Sequence, residues 1–308
     1  MVKERVALID GTGLIYRAFY ALPNSLKTTT GLQTNAIYGF ATMFRKLLAG
    51  KTPGYGAVVF DAPGTTFRRR EFAEYKANRP MMPRALQGQL EWIDKLVRAH
   101  NYPILRVPGF EADDIIGTLS DMVVNAGHEV LIVSGDKDFA QLVGDGVRLF
   151  DSTRDVVYNS ELVFKKWGVR PDQFADYLAV VGDKSDNIPG IPGIGGAGAA
   201  ELLAKHGSLD AMLAHPDALG PRSGPALHKH REQALLSRRL ATLVRDVNLG
   251  LSLADLEVSY PLPEVLNALY RELEFYSLLS AEEREKVHTD TSIQYFVCDT
   301  PEMATAAL

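Results

Sequence analysis

The chain repeatedly runs from a short β-branched apolar stretch straight into an acidic turn. VALIDGTG contains Asp10, VVFDAPG contains Asp61, and LIVSGDKD contains Asp136 and Asp138. GFEADDIIG carries Glu111, Asp113 and Asp114, and GDKSDNIPG carries Asp183 and Asp186. Strand-like runs alternating with helical patterns are the mark of βαβ units and a parallel sheet. In such sheets, residues at the carboxyl ends of neighbouring strands meet on one rim. Nine acids gathered there cannot all ionise side by side unless cations hold them. An all-oxygen donor set of this kind suits hard divalent ions, Mg²⁺ or Mn²⁺.

A length of 308 residues leaves room for one large α/β domain and a smaller appendage. The longest apolar runs fall short of a membrane span, and MVKERVALID enters a strand without a signal-peptide pattern. The single Cys298 excludes an internal disulfide framework and a cysteine-based zinc site. The expectation is a cytoplasmic protein with no membrane contact. A formal net charge of −5 would ordinarily argue against a nucleic-acid partner, but the acidic rim alone accounts for more than this excess. Basic residues are concentrated elsewhere: Arg68, Arg69, Arg70, Lys76, Arg79 and Arg84 in one stretch, and Lys229, His230, Arg231, Arg238 and Arg239 in another.

The pattern predicts strands at Val6–Ile9, Ala57–Phe60, Ile104–Val107, Val130–Val133 and Val147–Phe150. Helices are expected around Asn35–Leu48, Arg84–His100 and Asp113–Asn125, with Leu86, Leu90, Ile93, Leu96 and Val97 facing the core. After Asp155 the texture turns helical, over Phe174–Val181, Ala199–His206, Leu209–Ala214 and Pro225–Val244. The polar segment SAEEREKVHTDTS reads as a linker. IQYFVCDTPEMATAAL after it reads as the first strand and helix of a further domain, so the chain is expected to be a fragment of something longer.

Each motif also has a plainer explanation. Acids at the opening of the Asp113 helix complement its dipole and cap it, which accounts for one or two of them. Asp10, Asp61, Asp136 and Asp138 suit turns and caps individually; their recurrence on one rim is what favours metal ligation. Tyr75, Lys76 and Arg79 in FRRREFAEYKANRP read as one helical face suited to stacking on bases and gripping phosphates, against the alternative of a solvated charged face. The glycines of IPGIPGIG serve a tight turn between helices, or a hairpin that aims backbone N–H groups at a phosphodiester backbone.

From VALIDGTGLIYRAFYALP through NAIYGF, VVFDAPGTTFR, EYKANRP, PGFEADDIIGTL, SGDKDFAQLV and GDKSDNIPGIPGIG to LEFYSLL, the chain resembles a known family. That family is the 5′-nuclease (flap endonuclease-like) domain found at the N-terminus of bacterial DNA polymerase I, and the likeness covers about residues 5–280. It implies a central, mostly parallel twisted sheet flanked by helices in an α/β core over about 1–180. A helical arch at about 65–100 belongs to that core, and a helical helix–hairpin–helix region follows over 181–280. Residues 281–308 would then be a linker and the start of a domain resembling a proofreading exonuclease.

The resemblance implies metal-dependent hydrolysis of branched or nicked duplex DNA with a 5′ flap, and of RNA/DNA primer ends. It assigns Asp10, Asp61, Glu111, Asp113 and Asp114 to one Mg²⁺ or Mn²⁺, and Asp136, Asp138, Asp183 and Asp186 to a second. Lys76 and Arg79 would act at the scissile phosphate, with Arg68, Tyr75, Gly190, Gly193 and Gly195 completing the DNA contacts. The hairpin often holds K⁺ in such proteins. A monomer at the bacterial nucleoid, covalently linked to polymerase domains, is the expected context. Where the family commonly has Pro-Lys-Thr after GIG, this chain has Gly196, Ala197 and Gly198, so one cationic phosphate contact is missing.

A non-catalytic junction-binding homologue is the alternative, and it should lack some of the acids; here every position is acidic. A phosphatase of the haloacid dehalogenase type needs a second Asp two residues after the first, where this chain has Thr12.

Overall fold

The computed structural model describes residues 3–49 and 54–290, and the chain divides into two compact units, Met1–Tyr260 and Pro261–Leu308. In the first unit β1 (Arg5–Asp10) leads into α1 (Gly11–Ala21), α2 (Asn35–Leu48) and β2 (Tyr55–Val59). Then come α3 (Phe67–Glu71), α4 (Arg84–Gln87), α5 (Leu90–Ala99) and the short β3 (Ile104–Leu105). They are followed by α6 (Ala112–Asn125), β4 (Glu129–Val133), β5 (Val147–Asp151) and β6 (Val156–Tyr158). The helical remainder comprises α7 (Ser160–Trp167), α8 (Phe174–Val181), α9 (Gly196–His206), α10 (Leu209–Ala214), α11 (Gly220–Lys229) and α12 (Arg231–Ala241).

The strands form one sheet in the order β3-β2-β1-β4-β5-β6, parallel throughout except for the antiparallel pair β5–β6. Val6, Leu8, Ile9, Ala57, Val58, Val59, Val130 and Ile132 are all buried. Apolar residues at consecutive strand positions belong in a parallel sheet covered on both faces. Strand order reverses between β1 and β4. Ile9 pairs with Val133 and Asp10 with Val59, so the residues just past these strand ends flank the crevice where open α/β sheets place their sites.

Several details of the first unit depart from the sequence expectation. Asp155, in the left-handed region at φ 55°, turns the chain into β6, a three-residue strand too short to show alternation. The helix expected over Arg84–His100 is two helices, because Gln89 between them is wholly buried and used elsewhere. Its Oε1 accepts from the N–H groups of Ala36 and Ile37 at 2.9 and 3.2 Å, satisfying two free donors at the start of α2. Leu90 is accordingly only half-buried. The expected Pro225–Val244 helix is likewise divided at His230 into α11 and α12.

In the second unit, α13 (Pro263–Glu272) begins with Pro at its first position, where no N–H is needed. The segment read as a linker is helical over Ala281–Asp290, α14, with Glu282 and Glu283 in the first turn complementing its dipole. The strand and helix start expected in IQYFVCDTPEMATAAL lie outside the described residues.

Candidate metal centre and nucleic-acid cleft

Asp10, the last residue of β1, caps α1 by accepting from Gly13 N at 2.8 Å. Ser134 Oγ donates to Asp10 Oδ2 at 2.7 Å and accepts from Asp136 N at 3.0 Å, tying the ends of β1 and β4 together. Asp61 accepts from Ala112 N at 2.8 Å, which fixes the start of α6 beside the end of β2. While making these local bonds, Asp10, Asp61, Asp113 and Asp136 also line one cleft of about 380 Å³, together with Lys76 and Arg79. Burial lifts the Asp10 carboxyl to about 6, and the neighbouring Asp136 and Asp61 add to the effect. Asp113 is pushed well above the usual carboxylate range by burial and then by Asp136, with Lys76 opposing.

Beside this cleft, Asp138, Asp183 and Asp186 each present a carboxylate oxygen within 4.8 Å of the others. Burial and the charge of Asp136 raise Asp138 to about 7. Asp183 goes the other way: burial is outweighed by the Lys137 ammonium and by Ser185, and its pKa is lowered. Lys137 Nζ bridges Asp138 Oδ1 at 3.0 Å and Asp183 Oδ2 at 2.6 Å. Ser185 gives Asp183 Oδ1 both its N–H, at 2.8 Å, and its hydroxyl, at 2.7 Å.

Two residues expected at the site are committed elsewhere. Asp114 is fully buried, and both its oxygens are taken by protein donors. Arg68 donates to Oδ1 and Oδ2 at 2.7 Å each, Val244 N to Oδ1 at 2.9 Å, and Glu111 N to Oδ2 at 3.1 Å. It stands at the third position of α6, in a capping box with Glu111. In contrast to the direct metal ligation expected of it, it is wholly buried and outside the cleft lined by Asp10, Asp61, Asp113 and Asp136. Arg68, expected to contact DNA, is 1% exposed and directs its remaining N–H groups to Leu240 O, Thr242 O and Glu111 Oε2. No face of it is open to a phosphate.

Of the stretch expected as a helical arch, about 65–100, α3, α4 and α5 are helical, but residues 72–83 between α3 and α4 are turns and loop, so Tyr75, Lys76 and Arg79 do not share a helical face. Lys76 sits at φ 54°, and its N–H donates to Asp186 O at 2.9 Å. Asn78 Nδ2 donates to Lys184 O and Asn187 Nδ2 to Glu74 O, both at 2.7 Å. These bonds seat the turn on the hairpin carrying Asp183 and Asp186. Tyr75 is buried; its ring joins the core and its hydroxyl donates to Glu111 Oε2 or Asp186 Oδ2, at 2.9 and 3.1 Å, which corrects its reading as an open stacking platform. Lys76 Nζ reaches Glu111 Oε1 at 2.9 Å and Asp186 Oδ2 at 3.5 Å, and Arg79 pairs with Asp186. Burial disfavours the Lys76 charge, but Glu111 and Asp186 outweigh it and raise the pKa. Lys76 therefore stays cationic between the two acidic groups.

The glycine-rich hairpin joins α8 to α9. A Cβ at Gly190 would lie 2.2 Å from Val181 O, so this glycine meets an internal need and its expected DNA contact is not what requires it. Gly193, at φ 86°, and Gly195 face open space, with nothing within 4 Å of an added Cβ. Gly195 precedes the first turn of α9, whose N–H groups point outward along the helix axis.

The donor chemistry fits divalent cations. Ligand oxygens around Mg²⁺ or Ca²⁺ lie at about 2.0–2.6 Å, so oxygens on opposite sides of one ion are about 4–5 Å apart. The Asp138, Asp183 and Asp186 oxygens fall within that span. Burial first, and then the neighbouring carboxylates, raises the pKa of Asp10, Asp113 and Asp138, and a divalent cation bound among them would favour their charged forms. Ser134, Lys137 and Ser185 were missed as site residues. Their one signal in the sequence is their place inside SGDKD and GDKSD, between or beside the acids.

Comparison with known proteins places these features in context. Residues 5–168 match the family model of the 5′-3′ exonuclease N-terminal resolvase-like domain, and residues 169–264 that of the 5′-3′ exonuclease C-terminal SAM fold. A DNA polymerase I of Pseudomonas aeruginosa is 44% identical over 91% of this chain and 31% of its own length. The corresponding figures for the Bacillus caldotenax DNA polymerase I are 41%, 90% and 32%. The chain thus spans about a third of the length of these relatives. A 5′-3′ exonuclease of Aquifex aeolicus is 40% identical over 88% of this chain and 93% of its own length. Among solved structures, the zinc-bound T5 5′-exonuclease superposes with a TM-score of 0.66 at 21% identity, covering 88% of this chain and 98% of that one. The catalytic core of Rad2 in complex with DNA substrate superposes at 0.61 and 15% identity, covering 94% and 92%.

Proposed function

The chain belongs to the 5′-3′ exonuclease family, and from that premise we propose that it is a structure-specific 5′-3′ exonuclease and 5′-flap endonuclease using two divalent cations. The observation that carries this reading is the convergence of Asp10, Asp61, Asp113 and Asp136 on one cleft, with the Asp138, Asp183 and Asp186 cluster beside it and Lys76 between. The substrate is DNA, branched or nicked with a 5′ flap, or a primer end carrying RNA. The setting is primer removal and repair at the bacterial nucleoid, by a monomer that works with polymerase domains like those of its polymerase I relatives. We divide it into a nuclease core over 1–180, a duplex-binding region over 181–280 and a following segment. Among the described residues no helix is long and apolar enough to cross a membrane.

Asp10, Asp61, Asp113 and Asp136, with Glu111 at the edge, would hold one Mg²⁺ or Mn²⁺; Asp138, Asp183 and Asp186, with Asp136 between the groups, would hold the second. Bound there, such cations lower the pKa of an attacking water and offset charge on the leaving 3′-oxygen. The protein's own part is positional and electrostatic. Lys76, held cationic by Glu111 and Asp186, offsets charge on the non-bridging phosphate oxygens as it builds up in the transition state. Arg79 holds Asp186 and lines the same cleft, adding a second cation beside the scissile phosphate. Outside the cleft, the exposed backbone at Gly193 and Gly195 and the N-terminus of α9 suit a duplex phosphate backbone, with a K⁺ ion at the hairpin. The products are a 5′-phosphate and a 3′-hydroxyl.

The test is incubation with end-labelled 5′-flap, nicked and single-stranded DNA in Mg²⁺, Mn²⁺ or chelator. Cation-dependent cutting near the flap junction is expected. Equal cutting of all substrates, or cutting in chelator, would overturn the reading.

A further inference from the structure

Lys137 lies between two acids in sequence and between two carboxylates in space. Its Nζ is 3.0 Å from Asp138 Oδ1 and 2.6 Å from Asp183 Oδ2. Oδ1 of Asp183 already accepts both Ser185 donors, so Oδ2 is the oxygen left for a cation, and the ammonium is on it. The third member of the cluster, Asp186, is engaged by Arg79, Lys76 and Tyr75. An ammonium and a divalent ion on the same oxygens would repel at a separation of a few ångströms, so each occupancy weakens the other.

The lysine has somewhere to go. Its side chain is 37% exposed on the wall of an adjoining cleft of about 520 Å³, lined by Arg79, Arg154 and Lys166 and by Asp136 and Asp151, with Arg154 paired to Asp151. Cations outnumber acids on that wall once Lys137 itself enters it, so a further anion in the cleft would favour the ammonium there. A phosphodiester supplies that anion.

We propose that Lys137 is the resident counter-ion of the Asp138, Asp183 and Asp186 cluster, that a divalent cation enters by displacing it, and that a nucleic-acid phosphate takes up the displaced ammonium. This rests on the two-cation reading above. Its consequence is reciprocal coupling: DNA tightens the second cation, and the second cation tightens DNA by the same factor. Lys137 is a positioning residue in this scheme, regulating occupancy of the cluster.

The experiment is Mn²⁺ binding by calorimetry and by electron paramagnetic resonance to the wild type, Lys137→Met and Lys137→Arg. Each is titrated alone and with a 5′-flap duplex whose junction carries cleavage-resistant phosphorothioate linkages. In the absence of DNA, Lys137→Met should bind the second Mn²⁺ roughly tenfold or more tightly than the wild type, the worth of one charge-assisted contact removed. DNA should tighten that site about fivefold or more in the wild type and by less than about twofold in Lys137→Met. Lys137→Arg keeps the cation and should behave like the wild type. A second Mn²⁺ bound with wild-type affinity and wild-type DNA coupling by Lys137→Met overturns the displacement. Failure of every variant, with and without DNA, to bind a second Mn²⁺ overturns the two-cation reading itself, and this proposal with it.

Discussion

Arg68 and Asp114 are joined by two parallel hydrogen bonds of 2.7 Å, Nη1 to Oδ2 and Nη2 to Oδ1, inside the protein. The same guanidinium holds the carbonyls of Leu240 and Thr242 and the carboxylate of Glu111. One side chain on α3 therefore connects the end of α12 to the acidic start of α6, and through it to Asp113. Breaking a buried pair by removing one partner leaves the other charge without compensation. Arg68→Ala should lower the unfolding free energy by about 3–5 kcal/mol in urea titrations. Arg68→Lys, which cannot form the fork, should fall between it and the wild type. A loss under about 1 kcal/mol for Arg68→Ala would mean the network is not holding these elements.

Asp114 and Asp136 are separable on the same logic. Asp136 lines the cleft and its charge is felt by Asp10, Asp113 and Asp138, whereas the oxygens of Asp114 are filled by Arg68, Val244 and Glu111. Asp136→Asn should abolish flap cleavage, weaken Mn²⁺ binding and leave flap binding largely intact. It should also raise the melting temperature of the cation-free protein, because like-charge repulsion falls. Asp114→Asn should lower the melting temperature while Mn²⁺ affinity of the folded fraction stays within a few-fold of wild type. The reverse pattern in calorimetry would return Asp114 to the ligand set.

This contrast shows what a sequence carries and where it stops. Acids following apolar β-branched runs could be placed on one rim because strand direction and pairing follow from local pattern. Hence Asp10, Asp61 and Asp136 were readable together. The partner of each acid depends on tertiary contacts between residues far apart in sequence. Asp114 and Arg68 are separated by 46 positions, and Arg68 and Thr242 by 174. Nothing local distinguishes a buried structural arginine from the exposed Arg69 and Arg70 beside it. Gln89 broke the expected long helix for the same reason, since its role is to serve α2. Lys76 at φ 54° ended the expected helical face in a way no helical periodicity reveals.

The pH response of the cation-free protein follows from Asp10 and Asp138. Their folded-state pKa values, about 6 and about 7, lie above the unfolded 3.8, so between these limits the folded state binds more protons than the unfolded one. Stability contributed by these groups therefore falls as pH rises from about 4 through 7 and is level above that. In chelator, the melting temperature should drop between about pH 5 and pH 8. Millimolar Mg²⁺ should restore more stability at about pH 8 than at about pH 5.5, because bound cations need the deprotonated carboxylates. An equal Mg²⁺ effect at both pH values, by scanning calorimetry, would contradict the assignment.

Gly190 and Gly195 should respond differently to the same substitution. A Cβ at Gly190 meets Val181 O at 2.2 Å, so Gly190→Ala should destabilise by about 1–3 kcal/mol or more. Gly195 has φ −89° and open space around its Cβ position, so Gly195→Ala should fold with wild-type stability. Its effect should appear as weaker duplex binding in a fluorescence-anisotropy titration, where the methyl group stands off the phosphate backbone. Unchanged binding would remove the hairpin from the interface.

Ala197 tests the same interface from the opposite direction. It is exposed in the first turn of α9, at the place where the family's Pro-Lys-Thr pattern puts a lysine. A cation there would add one phosphate contact to those proposed for the backbone N–H groups, and releasing one more counterion steepens the salt dependence. Ala197→Lys should tighten duplex binding at low salt and make the slope of log K against log[salt] more negative by about 0.9. The cleavage rate at saturating substrate should not change, because the new charge lies on the hairpin helix while the proposed place of the reacting phosphate is among the strand-end carboxylates. An unchanged slope would mean that duplex DNA does not run across the start of α9.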